Sequence, residues 1–276
     1  MLWNGLELPD KPYYQDDAVV IYNADCRDIL PLIPDKSIDL VPTSPPYNIT
    51  TGKGGAWQID DWYDDSLPED EYQKRQIAIL NELYRVASCV CYNHKIRQRG
   101  NLALHPLAWI FQTKWLLFQE IIWNRGSTHN HCGNYFYPID ERIFILVKDA
   151  GAITITNRGL STIWRINFEI NSPHPAPFPE LLPAKVISSI TPANMILDPF
   201  LGSGTTAYCA KKLGRKCIGI ELEEKYCEIA ARRCSQTVMN LEVETPKETA
   251  NTLPMDLENK FSEKPVDILT NDSKVV

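Results

Sequence analysis

The chain has 276 residues, of which 44% are hydrophobic and 23% are charged, and its formal net charge is −7. This composition is typical of a globular protein long enough for one large α/β domain. No apolar run approaches the roughly 20 residues that span a bilayer. The N-terminus also lacks the basic and apolar regions of a signal peptide. We therefore expect no membrane segment and a cytoplasmic location.

The acidic total hides an uneven distribution of charge. Residues 1–88 carry 16 acidic and 7 basic side chains, whereas residues 89–185 carry 6 acidic and 10 basic ones. A local basic face is sufficient to meet phosphates, so nucleic acid is not excluded as a partner. None of the eight cysteines forms a C-x-x-C pair, and the cluster His129 to Cys132 has no second ligand pair. We expect reduced thiols and no metal site.

Apolar strands and amphipathic helices alternate along the chain. Strands are predicted at 18–23, 37–41, 88–92, 115–123, 142–147, 195–198 and 216–220, and helices at 28–33, 68–87, 102–113, 205–213 and 223–234. This alternation predicts an α/β fold with a mostly parallel sheet and helices on both faces. Residues 241–276 are rich in Glu, Thr, Asn and Lys. We expect them to form an acidic, poorly ordered tail after a domain of residues 1–240.

A stiff, polar turn follows the second predicted strand, in the segment Thr43 to Asn48. Pro45 and Pro46 fix the backbone and donate no N–H group, so the carbonyls there must find other partners. The hydroxyl of Ser44 and the aromatic ring of Tyr47 stand beside them. Rigid acceptors next to a π-surface suit the binding of a planar base by its amino group. A proline-rich turn without a ligand is the alternative.

A second motif, Asp198 to Thr206, joins a predicted strand to a predicted helix. Gly202 and Gly204 let the backbone approach a ligand closely, and the helix N-terminus suits an anionic group. No lysine follows the second glycine, so the motif is not a P-loop, and it departs from the G-x-G-x-x-G fingerprint. Glu221 ends the next strand, where a carboxylate can accept both ribose hydroxyls. These features favour a nucleoside cofactor without a pyrophosphate over a strand–helix turn without a ligand.

Together these segments resemble the amino-group DNA methyltransferases of restriction–modification systems. Because Ser44 to Tyr47 precedes the glycine motif, the order is similar to that of the beta class, and the similarity runs from about Val20 to Arg233. It implies a Rossmann-like S-adenosylmethionine-dependent methyltransferase fold with a circularly permuted motif order. It also implies S-adenosyl-L-methionine as cofactor and double-stranded DNA as substrate, with the target base flipped out of the duplex. Residues of about 123–170 are the expected target-recognition region, and a cognate endonuclease and a homodimer are candidate partners.

The resemblance also implies roles for individual residues. The catalytic candidates are Ser44, Pro45, Pro46 and Tyr47, with Tyr47 stacking on the flipped base. The cofactor-binding candidates are Asp25, Asp198, Phe200, Gly202, Gly204, Thr205, Thr206, Glu221, His174 and Phe178. The candidate DNA contacts are Lys95, Arg97, Arg99, Arg125 and Arg158, each of which has a solvated side chain as its alternative. For Asp25, the alternative to a cofactor contact is capping of a helix. For His174 and Phe178, the alternative is a proline-rich connector with no ligand.

The base and the substrate class have alternatives of their own. In the family, serine at the position of Ser44 is more typical of cytosine-N4 enzymes, whereas adenine-N6 enzymes more often carry Asp or Asn. Transfer to cytosine N4 is therefore expected, with adenine N6 as the alternative. No cysteine follows a proline, which argues against a cytosine-C5 enzyme. RNA and protein methyltransferases, which usually place the glycine loop first, and a non-catalytic nucleic-acid-binding module are further alternatives.

Overall fold

The structure, a computed structural model, describes residues 1–49, 66–99, 102–126, 136–167 and 179–236. Its strands are β1 (Leu2–Trp3), β2 (Leu6–Glu7), β3 (Tyr14–Gln15), β4 (Val19–Asn23), β5 (Ile38–Thr43), β6 (Ala87–His94), β7 (Arg97–Arg99), β8 (Leu102–Leu104), β9 (Leu116–Asn124), β10 (Asp140–Val147), β11 (Thr154–Ile155), β12 (Ile163–Arg165), β13 (Ile190–Thr191), β14 (Met195–Asp198) and β15 (Lys216–Glu221). Its helices are α1 (Cys26–Ile29), α2 (Glu69–Val86), α3 (Leu107–Ile110), α4 (Leu181–Ser189), α5 (Thr205–Lys212) and α6 (Glu224–Ser235), with a 3₁₀ turn at Leu30–Leu32.

Several predicted features lie outside the described residues. They are the tail at 241–276, the cluster His129 to Cys132, and the cofactor candidates His174 and Phe178. Within the described residues, no helix is long and apolar enough to cross a membrane.

A nine-stranded sheet in the order β12-β9-β10-β6-β5-β14-β15-β4-β3 forms the centre of the fold. The five strands from β6 to β4 run parallel, while β10 and β3 run antiparallel to the strands beside them. The sheet is therefore mostly parallel, and the predicted α/β fold is confirmed.

Helices cover both faces of this sheet, as predicted. Alternate residues of β4 divide between the two cores, because successive side chains of a strand point to opposite faces. Val19 and Ile21 pack in the core under α4, α5 and α6, whereas Val20 and Tyr22 pack in the core under α1, α2 and α3. The parallel strands are thus buried on both faces, which explains their continuous apolar sequences.

The predicted helix at 102–113 is wrong over its first half. Leu102–Leu104 is a strand that pairs antiparallel with Arg97–Arg99. A residue before proline avoids the α region, and Pro106 therefore keeps His105 out of the helix. The helix begins only at Leu107, after the proline.

Helix α4 was absent from the sequence-based prediction. Its sequence contains Pro183 in the first turn, where proline is tolerated because the N–H has no intrahelical partner. Val186 and Ile187 then form the apolar face that packs onto the sheet. The proline-rich sequence before this helix and the proline in its first turn are not typical of a helix, so the sequence pattern did not predict it. Packing against the sheet stabilises it.

Gly204 allows α5 and α6 to pack in direct contact at the start of α5. The residue has a φ of +84°, and a Cβ there would lie 2.6 Å from the Cβ of Ala230 and 2.7 Å from its Cα. Neither atom of Ala230 can swing aside, because one is backbone and the other is fixed to it. The glycine therefore has a packing reason that is independent of any ligand.

We expect Gly204→Ala to destabilise the protein by both strain and overlap. A left-handed φ costs an L-residue about 1–2 kcal/mol, and the forced contact with Ala230 adds about 1–3 kcal/mol. Gly214→Ala is the matched control, because Gly214 has a φ of +67° and open space around its Cβ position. Urea denaturation should show a larger loss of unfolding free energy for Gly204→Ala, and equal losses would contradict the packing argument.

Candidate active site

The two sequence motifs meet where the order of the strands reverses. From β5 the chain moves outward through β6 to β10, whereas from β14 it moves to β15 on the opposite side. Ligands of open α/β sheets bind at the carboxyl ends of strands at such a switch point. Here the hydroxyl of Thr43, at the end of β5, donates to Asp198 Oδ1, at the end of β14, over 2.7 Å. Both side chains are buried.

Asp198 also organises the glycine loop that follows it. It accepts a hydrogen bond from the backbone N–H of Phe200 at 3.1 Å and another from the side chain of Thr206. Burial raises the pKa of its carboxyl group, and these hydrogen bonds oppose the rise. The carboxylate is thus committed to joining the two strand ends and shaping the loop.

Ser44 and Tyr47 belong to one hydrogen-bonded cluster. Tyr47 Oη lies 2.8 Å from Ser44 Oγ, 2.9 Å from Asn93 Oδ1 and 2.8 Å from Glu141 Oε2. Ser44 Oγ lies 3.2 Å from the same Asn93 oxygen. Glu141 is only 5% exposed, and its other oxygen pairs with Arg125 Nη1 at 3.0 Å. Burial and the charge of Glu141 raise the pKa of Tyr47 well above its usual range, so the phenol keeps its proton.

His94 forms the floor beneath the Tyr47 ring. The two ring centroids are 4.6 Å apart with a 43° tilt. Burial lowers the pKa of His94 to about 3, so the imidazole is neutral. Its Nδ1 lies 2.7 Å from the carbonyl of Lys95, and its Nε2 lies 2.7 Å from the hydroxyl of Tyr72. One face of Tyr47 is therefore occupied by protein, and stacking of a base on Tyr47 stays a prediction.

The carbonyl groups of the two prolines differ in their surroundings. The carbonyl of Pro46 lies 2.8 Å from the hydroxyl of Tyr72. The carbonyl of Pro45 makes no hydrogen bond to any part of the chain that the structure describes. Ser44 Oγ and the Pro45 carbonyl are thus the acceptors of this turn with remaining capacity for a ligand.

Glu221 lies beside the glycine loop, at the end of β15. Its carboxylate accepts from the backbone N–H of Gly202 at 2.7 Å and from that of Glu223 at 2.9 Å. Burial raises the pKa of this carboxyl group. Each oxygen receives one N–H bond and keeps a second lone pair, so both can still accept from a hydroxyl.

Other cofactor candidates have structural partners. Asp25 caps α1 by accepting from the N–H of Arg27 and pairs with the Arg27 side chain at 2.6 Å. The hydroxyl of Thr205 accepts from Arg233 at 3.0 Å, and Thr206 is bound to Asp198. Their side chains hold the loop in place, and a cofactor role for them stays a prediction.

The candidate DNA contacts differ in their surroundings. Lys95 lies close to residues 44–47, the candidate catalytic turn, with its Nζ 5.8 Å from the centroid of the Tyr47 ring. Arg125 pairs with Glu141. Arg99 is exposed and donates to a backbone carbonyl at 3.0 Å. Arg158 is exposed and lines a cavity of about 220 Å³ bounded by β9, β10 and α4.

Arg97 corrects the sequence-based prediction of a DNA contact. Its residue is 3% exposed, and its guanidinium donates to both carboxylate oxygens of Glu69 at 2.7 and 2.8 Å. It also lies over the rings of Tyr72 and Trp109. The two terminal nitrogens of the guanidinium are committed to Glu69, and its buried Nε has no hydrogen-bond partner in the described part of the chain.

Asn93, Glu141 and Thr43 are site residues that the sequence-based interpretation missed. Asn93 follows the apolar run of β6, and Glu141 stands near the start of β10. Their position as polar residues near the ends of strands could have marked them as site candidates. Only the sheet order shows that β6 and β10 lie beside the turn at residues 44–47.

Comparison with known proteins identifies the family. A family model described as DNA methylase, of the N6 and N4 type, matches residues 38–232. The chain belongs to this DNA methylase family. It is also similar to the type II methyltransferase M.ScaI of Streptomyces caespitosus, with 28% identity across 84% of this chain and 86% of the relative.

Two solved structures share the fold of this DNA methylase. The PvuII DNA methyltransferase, described as cytosine-N4-specific, has a TM-score of 0.67 and 20% identity, with 82% of this chain and 90% of that chain covered. The Thermus thermophilus protein TTHA0409, solved in complex with S-adenosyl-L-methionine, has a TM-score of 0.57 and 23% identity, with 79% and 96% covered.

We expect Arg97→Ala to destabilise the DNA methylase by about 2 kcal/mol, because it removes a buried side chain that pairs with Glu69 and packs over Tyr72 and Trp109. Arg158→Ala is the control, since its side chain is exposed and should change the unfolding free energy by less than about 0.5 kcal/mol. Chemical denaturation measures both. A neutral Arg97→Ala variant with reduced DNA affinity would restore the original prediction.

We expect His94 to make the protein less stable in mild acid. Its pKa is about 3 in the folded state and about 6.5 in an unfolded chain. The unfolded state therefore takes up the proton first, and stability present above pH 6.5 is lost as pH falls toward 3. The loss should approach about 1.4 kcal/mol per pH unit in that window. Denaturation at pH 6.5 and 5.5 should show a smaller loss for His94→Gln, and equal losses would contradict the assignment.

Proposed function

We propose that this DNA methylase transfers a methyl group from S-adenosyl-L-methionine to the exocyclic N4 of cytosine in double-stranded DNA. The observation that carries the proposal is the 2.7 Å hydrogen bond between Thr43 and Asp198. It holds Ser44, the next residue after Thr43, beside the loop that ends at Gly204. An amino-group site and a nucleoside site are therefore adjacent at one switch point.

The residues around the glycine loop fit the proposed cofactor. The buried Glu221 carboxylate retains acceptor capacity for ribose hydroxyls, and Gly202 brings backbone close to it. Asp25 follows β4 and Phe200 follows β14, the two strands on either side of β15, and both remain candidates for contacts to the cofactor. When bound, S-adenosyl-L-methionine supplies an electrophilic methyl group. The complex of TTHA0409 with this molecule supports the choice of cofactor.

The chain's own acceptors address the weak nucleophilicity of a base amino group. The nitrogen lone pair is delocalised into the ring, so the nitrogen must become pyramidal to react. Ser44 Oγ and the Pro45 carbonyl can accept the two amino protons, which favours that geometry and the charge that develops on nitrogen. A base inside a duplex cannot reach these atoms, and we infer that it flips out.

The choice of base rests on Ser44. Serine is the residue more typical of cytosine-N4 enzymes, and the cytosine-N4-specific PvuII enzyme shares the fold. Adenine N6 is the alternative, because the family includes both N6 and N4 enzymes. Similarity to a type II methyltransferase supports a restriction–modification role, and a cytoplasmic location, a homodimer and a cognate endonuclease stay predictions.

We expect the protein to place label from S-adenosyl-L-methionine in N4-methylcytosine of duplex DNA. Loss of the Ser44 acceptor in Ser44→Ala should lower kcat about 100-fold or more, by analogy with the removal of one preorganised transition-state partner. Separation of the nucleosides after digestion identifies the labelled base.

Ser235→Ala is the matched control, since this serine is exposed in the last turn of α6 and should leave kcat unchanged. The Kd for S-adenosyl-L-methionine, measured by calorimetry, should be equal in the native protein, Ser44→Ala and Ser235→Ala. Label in N6-methyladenine would overturn the base assignment. No label in duplex DNA of varied sequence, or label in RNA alone, would overturn the activity.

A further inference from the structure

The cluster at the catalytic turn contains two hydroxyl protons and two oxygens that can only accept. The protons belong to Ser44 and Tyr47, and the acceptors are Asn93 Oδ1 and Glu141 Oε2. The four hydrogen-bond contacts among them have heavy-atom distances between 2.8 and 3.2 Å. The direction in which each proton points decides what Ser44 presents to a ligand.

Two further contacts fix the acceptors in place. The amide nitrogen of Asn93 donates to the carbonyl of Arg142 at 3.0 Å, which turns its oxygen toward the hydroxyls. Arg125 pairs with Glu141 Oε1 at 3.0 Å, which leaves Oε2 for Tyr47. Arginine has donors only and a carboxylate has acceptors only, so neither end of the cluster can reverse.

The number of available protons then decides the direction in which the Ser44 hydroxyl proton points. Buried Glu141 Oε2 needs a donor, and Tyr47 supplies it. Ser44 then satisfies the cluster by donating to Tyr47 Oη at 2.8 Å or to Asn93 Oδ1 at 3.2 Å. In both cases its proton points into the protein. The lone pairs of Ser44 Oγ that remain are those facing away from the cluster.

We propose that Glu141 is a positioning residue that, through Tyr47, turns the Ser44 proton inward, so that the site accepts an amino group and rejects a carbonyl. The inference rests on the proposed function and deepens it. A base that carries an amino group donates to the outward lone pairs of Ser44. A base that carries a keto oxygen at the same position meets those lone pairs with its own and gains no hydrogen bond.

Glutamine at position 141 is the informative change. Arg125 would attract the glutamine oxygen, so the amide N–H₂ would face Tyr47 and donate to it. Tyr47 would then be free to donate to Ser44, whose own proton can turn outward. The shape of the residue is kept, while the direction of the hydrogen-bond chain is lost.

The test compares Glu141→Gln with Glu120→Gln in the same methylation assay. Glu120 is the matched control, because it pairs with Arg142 at 3.0 Å in the same antiparallel strands without contacting Tyr47. We expect Glu141→Gln to lower kcat about 10- to 100-fold, as the loss of supporting contacts around other reactive groups does. The KM for DNA and the Kd for S-adenosyl-L-methionine should stay close to the native values, because Glu141 acts only on the direction of the Ser44 proton. Glu120→Gln should match the native enzyme.

A DNA-binding measurement tests directly whether the site prefers an amino group to a keto oxygen. The probes are two duplexes that differ only at the target base, with cytosine in one and uracil in the other. Uracil opposite guanine is a mismatch that flips out more easily with every variant, so the measure is the ratio of the two Kd values. Glu120→Gln should keep the native ratio, and Glu141→Gln should shift it about tenfold toward the uracil duplex. Native kcat together with native preference in Glu141→Gln would overturn the inference.

Tyr47→Phe is a second variant that tests the same inference if Glu141→Gln fails to fold. It removes the middle hydroxyl and leaves Ser44 only the longer contact to Asn93, so kcat should again fall. A Tyr47→Phe enzyme with native kcat and native preference would overturn the inference.

A native protein that methylates no DNA would overturn the proposed function instead. The hydrogen-bond chain is then measured without activity, from the ¹³Cζ resonance of Tyr47, which the Tyr47→Phe variant assigns. That resonance should move in Glu141→Gln and stay in place in Glu120→Gln. An unmoved resonance in both variants would overturn the chain itself.

Discussion

The hydrogen bond from Thr43 to Asp198 is the constraint on which the candidate site depends. It ties the carboxyl ends of two strands whose chain connections lead away in opposite directions. The crevice at this point exists because no crossover helix closes it. Asp198 adds bonds to Phe200 and Thr206, so the same carboxylate that joins the strands also sets the path of the glycine loop.

Polar groups around the Thr43–Asp198 hydrogen bond form two separate sets of hydrogen bonds, one at the glycine loop and one at residues 44–47. Around the glycine loop, Glu221, Thr205 and Arg233 bind backbone and one another, and they make the loop rigid. Around the catalytic turn, the partners of Ser44 and Tyr47 come from β6 and β10. Side chains from strands on one side of the switch point therefore contact the candidate catalytic residues, while those from the other side hold the glycine loop.

Local patterns were sufficient to predict seven of the nine strands of the main sheet and most helices, because strand period, turn residues and glycines act within a few residues of one another. Glu141 shows where this reasoning ends. It lies 94 residues from Tyr47 in the chain, and its side chain becomes part of the site only through the order of β5, β6 and β10. Arg97 was misread for the same reason, since its partner Glu69 lies on another element, 28 residues away.

The strand order has a consequence for how the chain is made. Thr43 and Asp198 are 155 residues apart, and β4 finds its partner β15 only after a similar stretch of synthesis. At about 5–20 residues per second, the ribosome needs roughly ten to thirty seconds to make that interval. During this time β4 and β5 lack the strands that will lie between them. The permuted order therefore leaves two apolar edges for a chaperone to shield, and the reaction centre can close only late in translation.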